Sequence, residues 1–161
     1  ASDLDAGTWI ELLVSWCKRY PIRLVEDPAD EHDAAAYARF RQLAPGCRVV
    51  GDDLVVTSAR RIRDAAEARA IDAALIKPNQ AGTLTEAKAA LDACLESGVF
   101  PIVSARSGET EDVTIAHLAV GWGAPMIKVG SMTRGERTAK WNELLRISED
   151  LGNPPLATPL H

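Results

Sequence analysis

Five short apolar runs rich in Val and Ile recur along the chain, at residues 22–25, 49–50, 73–76, 100–103 and 126–127, and each runs into a polar or charged residue. Those residues are Glu26, Asp52, Lys77, the stretch 104–107, and Lys128. The interval, about twenty-five residues, is one buried strand plus one crossover helix, the spacing that parallel strands require. Helical patterns fill the intervals at 31–44, 58–70, 83–97, 111–122 and 134–150, and another precedes the first strand at 7–19. Alanine clusters at 34–36, 65–66 and 89–90 support them, because alanine loses no side-chain entropy in a helix.

Local punctuation agrees with this division. Thr83-Leu84-Thr85-Glu86 has the spacing of a capping box, which starts a helix there. Gly98 and Gly152 stand where a left-handed residue would close a helix, and Pro21 and Pro45 fall in loops. Strands alternating with helices predict an α/β fold with a parallel sheet. An open doubly wound sheet gathers its ligand at one switch point, whereas a barrel collects polar residues from many strand ends. Here every strand end offers one, so the pattern favours a barrel. A closed eight-stranded barrel takes about 250 residues, and 161 residues with five strands predict only part of one. Residues 1–152 are expected to form that partial barrel, with 153–161 a Pro-rich tail.

Several function classes are disfavoured by composition. Eighteen Lys and Arg against 23 Asp and Glu give a net charge of −5, and the sequence pI is near 5.2. A nucleic-acid binder would carry a basic footprint instead. No apolar stretch approaches the roughly 20 residues of a membrane span. The acidic start lacks the features of a secretory signal, so a cytoplasmic location is expected. Cys17, Cys47 and Cys94 form no C-x-x-C pair and are expected to be reduced thiols.

The strand ends carry the candidate chemistry. Glu26 and Asp52 place carboxylates where a barrel mouth would gather them, as hard oxygen ligands for Mg²⁺ or as ordinary loop acids that cap the following helix. Asp27 and Asp53 beside them suit supporting roles. Lys77 and Lys128 continue apolar strands, where a lysine either pairs with a carboxylate or, desolvated, serves as a base. The loop Ser104-Ala105-Arg106-Ser107-Gly108-Glu109-Thr110 offers a guanidinium, hydroxyls and the start of a helix near Glu111, a set that suits phosphate. Ser, Gly and Thr also simply make turns. His32, His117 and His161 follow no strand and are assigned no role in catalysis or metal binding.

In order and spacing, the segments Val25-Glu26-Asp27-Pro28, Val50-Gly51-Asp52-Asp53-Leu54, Leu75-Ile76-Lys77-Pro78-Asn79-Gln80, Arg106-Ser107-Gly108-Glu109-Thr110 and Ile127-Lys128 resemble the enolase (phosphopyruvate hydratase) family. Residues 134–147 continue the resemblance. It implies the C-terminal part of the enolase-type TIM barrel, its fourth to eighth strands, with the N-terminal domain and first strands absent from this sequence. It also implies that Glu26 and Asp52 bind Mg²⁺ and that Lys77 removes the carbon-2 proton of 2-phosphoglycerate. Arg106 and Ser107 would contact phosphate, and Lys128 would neutralise the substrate carboxylate. The implied partners are a small phosphorylated carboxylate, the remainder of the enolase chain and a second copy in a homodimer. Enolases ordinarily have a histidine where this chain has Ala105. The substitution opens a second possibility, a specialised homologue acting on phosphoenolpyruvate or a phosphonate analogue, as carboxyphosphonoenolpyruvate synthases do. A third is a non-catalytic fragment or binding module.

Overall fold

The computed structural model describes residues 4–157; of the tail assigned to 153–161, the last four residues lie outside them. Five parallel strands form one sheet in sequence order: β1 (Leu24–Glu26), β2 (Arg48–Gly51), β3 (Ala73–Ile76), β4 (Phe100–Ser104) and β5 (Met126–Lys128). Helices α1 (Ala6–Arg19), α2 (Ala34–Leu43), α3 (Ala59–Glu67), α5 (Leu84–Glu96), α6 (Thr114–Gly121) and α7 (Gly135–Asp150) take the six predicted helical places. One further turn of helix, α4 (Pro78–Ala81), lies directly after β3.

The predicted strands hold to within about two residues, the usual uncertainty of element ends. β1 begins at Leu24 rather than 22, because Ile22 N–H bonds locally to Tyr20 O and only Leu24–Glu26 pair with β2. The helix expected near Glu111 begins at Thr114. Asp112 Oδ1 accepts Thr114 N–H at 2.8 Å and Thr110 Oγ1 accepts Asp112 N–H at 3.2 Å, so side chains turn the chain before the helix can start. The capping box forms in a modified way. Thr83 Oγ1 accepts Glu86 N–H at 3.1 Å, but Glu86 takes the Thr83 hydroxyl proton rather than the backbone N–H. Gly98 and Gly152 adopt positive φ, 68° and 78°, as the predicted C-caps require.

The two faces of the sheet separate by the period of two that strands impose. Val49, Ala74, Ile76 and Val103 face the helices and join the main core with Ile10, Tyr37, Phe40, Ile62 and Leu91. Val50, Ala73, Leu75 and Ile102 form a second, smaller cluster on the other face, flanked by Leu24, Phe100 and Met126. Polar side chains continue this inner row: Glu26, Asp52, Lys77, Ser104 and Lys128 share its parity.

Register shows how the sheet curves. Following Cα partners sideways from Glu26 leads through Val50, Ala73 and Phe100 to position 124, four residues before Lys128. A stagger of one residue per strand pair, continued over eight strands, accumulates the shear of about eight that closes a barrel. The five strands are thus an arc of a barrel, as the strand count predicted. Lys128 Nζ donates to Glu26 Oε2, joining the edge strands β1 and β5 at their C-terminal ends.

Candidate functional site

A cavity of about 580 Å³ opens at the C-terminal ends of the strands. Glu26, Asp52, Lys77, Arg106, Ser107 and Lys128 all line it, together with Ala105 and the 129–131 segment after β5. Glu26 and Lys128, 102 positions apart in the chain, therefore meet around one space.

Its innermost pair is Lys77 and Asp52, with side chains 11% and 10% exposed and Nζ 2.5 Å from Oδ2. Two neighbours fix the lysine's backbone and the start of α4. Thr57 Oγ1 accepts Lys77 N–H at 3.0 Å and donates to Gln80 Oε1 at 2.7 Å. The salt-bridge role weighed for Lys77 and Lys128 is therefore realised in both, with Asp52 and Glu26 as partners. Glu26 and Lys128 are more exposed, at 38% and 48% of their side-chain surface.

Asp27, Asp52 and Asp53 bring carboxylate oxygens within 4.8 Å of one another, whereas Glu26 stands outside this cluster on the same cavity. The three differ in what they have left to offer. Asp27 Oδ1 accepts Asp52 N–H at 2.9 Å and the Tyr37 hydroxyl at 2.8 Å, and its Oδ2 accepts Asp53 N–H at 2.8 Å. It is a buttress for the β2 end. Burial first, and then the bond to Asp27, hold the Tyr37 hydroxyl far above the usual phenol range, so it stays a donor. Asp52 uses only Oδ2; its Oδ1 is buried with no hydrogen-bond partner among the described residues. A buried carboxylate oxygen without a donor is costly, and a hard divalent cation is the ligand such an oxygen suits. The donor set, all carboxylate, therefore suits a hard divalent cation.

The loop after β4 is held by α7, whose Arg137 also lines the cavity. Arg137 on α7 donates from Nη1 to Arg106 O at 3.0 Å and from Nη2 to Ser107 O at 2.8 Å. Lys140, fully buried, donates to Thr110 O at 2.7 Å and Glu136 O at 2.9 Å. Glu109 Oε1 accepts Arg106 N–H at 2.8 Å. The free helix N–H groups expected beside Arg106 are absent, since α6 begins only at Thr114. Thr57, Arg137 and Lys140 are contributors that sequence reasoning did not single out. Only the spacing of Arg137 and Lys140, three residues apart and so on one helix face, hinted at a shared task.

The three free thiols agree with the reduced reading. His32 and His117 stand away from the cavity, His117 beside Glu143 at 2.9 Å, and His161 lies outside the described residues. Among the described residues no helix is long and apolar enough to cross a membrane.

Comparison with known proteins bears on the whole arc. Residues 2–157 match the family described as Enolase, C-terminal TIM barrel domain. The chain is 43% identical over 154 residues to an enolase of Methanococcus aeolicus, covering 96% of this chain and 36% of that protein. It is 46% identical over 145 residues to enolase 1 of Desulfitobacterium hafniense, covering 89% and 33%. Against an enolase of Bdellovibrio bacteriovorus it is 48% identical over 139 residues, covering 86% and 33%. The chain spans about a third of the length of these curated relatives. Sheet topology, barrel stagger and these matches together establish that the chain belongs to the enolase family, as a segment of its C-terminal barrel domain.

Proposed function

We propose that the protein carrying this segment is an enolase-type lyase that interconverts 2-phosphoglycerate and phosphoenolpyruvate with Mg²⁺. The observation that carries this is the convergence of Glu26, Asp52, Lys77, Arg106, Ser107 and Lys128 on one cavity, with a buried Asp52 oxygen left unpartnered. Glu26 and Asp52 would hold the metal, which when bound supplies positive charge beside the substrate carboxylate and so lowers the energy of an enolate.

The chain's own residues supply the rest. Lys77 is mostly desolvated and held by Thr57 at its backbone. In its neutral form the amine takes the carbon-2 proton, becoming the ammonium that pairs with Asp52, and the electron pair left behind delocalises into the neighbouring carboxylate. Lys128 offers its ammonium to that carboxylate, where charge grows as the proton leaves, in a site of low dielectric. Arg106 and Ser107 hold the phosphate, so that carbon 2 is presented to Lys77. Hydroxide then departs from carbon 3 as water, protonated by a group of the enolase chain beyond these residues. That remainder would also cover the inner apolar row of Leu24, Val50, Leu75, Ile102 and Met126, which lines a further cavity of about 390 Å³. A cytoplasmic homodimer is part of the same proposal.

Phosphoenolpyruvate absorbance followed in the protein as encoded in full, with Mg²⁺ and after chelation, tests the proposal. Chelator-sensitive turnover is expected; no turnover by folded, magnesium-loaded protein would overturn it. Ala105 supports a second reading, a related reaction on phosphoenolpyruvate or a phosphonate analogue, because a methyl group at the cavity wall leaves room and supplies no proton donor. Under that reading Ala105→His raises hydratase activity. A full glycolytic rate in the unmodified protein would count against it.

A further inference from the structure

The segment between β4 and α6 holds Arg106 and Ser107 but has no regular secondary structure, and residues 106–108 are exposed. A loop of that kind is ordinarily among the most mobile parts of a domain. Here α7 ties it down. The two forks of Arg137 span successive carbonyls, those of Arg106 and Ser107. Lys140 carries an ammonium into complete burial and donates to the carbonyl of Thr110, with the Glu109 carboxylate 3.6 Å away. Glu109 in turn accepts the Arg106 N–H, so the loop is gripped on both its carbonyl and its amide side. The segment after β5 makes room for the grip. Gly130 has φ 90°, and a Cβ there would stand 2.9 Å from Arg137 Cδ.

We infer that Arg137, although it also lines the cavity, and Lys140 are positioning residues for the anion-binding loop, acting through the backbone of Arg106, Ser107 and Thr110. Burying an ammonium is costly unless its donors are satisfied, and one of the two acceptors that satisfy this one, Thr110 O, and its ion-pair partner, the Glu109 carboxylate, belong to the loop. The planar guanidinium of Arg137 is suited to two carbonyls at once in a way that a lysine is not. The inference rests on the proposed use of Arg106 and Ser107 for a phosphate group.

The test uses the protein as encoded in full, in wild-type form and as Arg137→Lys, Arg137→Ala and, as a surface control, Arg63→Gln. KM and kcat for 2-phosphoglycerate are measured with Mg²⁺, alongside inorganic phosphate binding and thermal melting. Arg137→Lys is expected to raise KM and weaken phosphate binding by about tenfold to a hundredfold, with kcat little changed and a cooperative melt retained. Millimolar guanidinium ion is expected to restore part of the Arg137→Ala loss, while Arg63→Gln behaves as wild type. Unchanged KM in a folded Arg137→Lys protein overturns the inference alone. Loss of the cooperative melt in both Arg137 variants also overturns it, making the contact one of fold maintenance. A folded wild type that neither binds phosphate nor turns over overturns the functional proposal, and this inference with it.

Discussion

Asp27 shows how one side chain can organise a site without facing a ligand. Its backbone is left-handed, φ 43°, a conformation Asp tolerates better than most residues. From there its carboxylate fixes the N–H groups of Asp52 and Asp53 and the Tyr37 hydroxyl. Bonds to a charged acceptor are each worth about 1.5–3 kcal/mol, so Asp27→Ala is expected to lower unfolding free energy by about 3 kcal/mol in urea titration. It should also weaken Mg²⁺ binding, because Asp52 loses its backbone anchor. Lys77→Met removes the partner of a buried carboxylate, a change of about 3–5 kcal/mol when one member of a buried pair is deleted. The buried thiols behave differently. Burial pushes Cys94 up to about 12, and burial together with a hydrogen bond that the Cys47 thiol donates to Cys17 pushes Cys47 to the same value, from an ordinary 9.0. In the folded state both keep their protons while the unfolded chain ionises. The stability they contribute is full below pH 9.0 and declines as pH rises from there toward 12. Iodoacetamide mapping at mildly alkaline pH should find both sites slow to label until the protein unfolds; rapid labelling of the native state would contradict this.

The five strands were legible as short apolar runs recurring about every twenty-five residues, and the six longer helices as the helical patterns that fill the intervals. α4 was not, since four residues give no periodicity. Its sign was punctuation: Pro78 at the first helical position and Gly82, φ 95°, at the cap. At the site, residue types were legible and partners were not. The sequence allowed Lys128 to pair with a carboxylate, but choosing Glu26 required the curvature of the sheet to bring β1 and β5 together. The grip of α7 on the β4–α6 loop was hidden for the same reason, because it depends on how a helix packs against a loop 30 positions earlier in the chain. Gly130 marks the contact at the level of elements. Gly130→Ala would place a methyl group against Arg137 in a backbone region that disfavours side chains. It is expected to lose about 1–3 kcal/mol in thermal unfolding and to raise KM as Arg137→Lys does; wild-type values for both would show that α7 and the segment after β5 do not need this close approach.

For the molecule as a whole, stagger, parity and strand-end chemistry describe one object, an arc of a barrel whose inner row ends in charge. A ligand that binds only the folded arc must stabilise it, by about 2.7 kcal/mol at a hundredfold excess over Kd. Mg²⁺ is therefore expected to raise the melting temperature of the protein as encoded in full, and Asp52→Asn to abolish most of that shift. An equal shift in wild type and variant would place the metal elsewhere. The central claim is that Lys77 removes a proton at this strand end. Exchange of the carbon-2 proton of 2-phosphoglycerate with solvent deuterium, followed by NMR in the protein as encoded in full, tests it most directly. Wild type is expected to exchange that proton in the presence of Mg²⁺ and Lys77→Ala to show none above the uncatalysed background, whereas exchange persisting at the wild-type rate in folded Lys77→Ala would contradict the account.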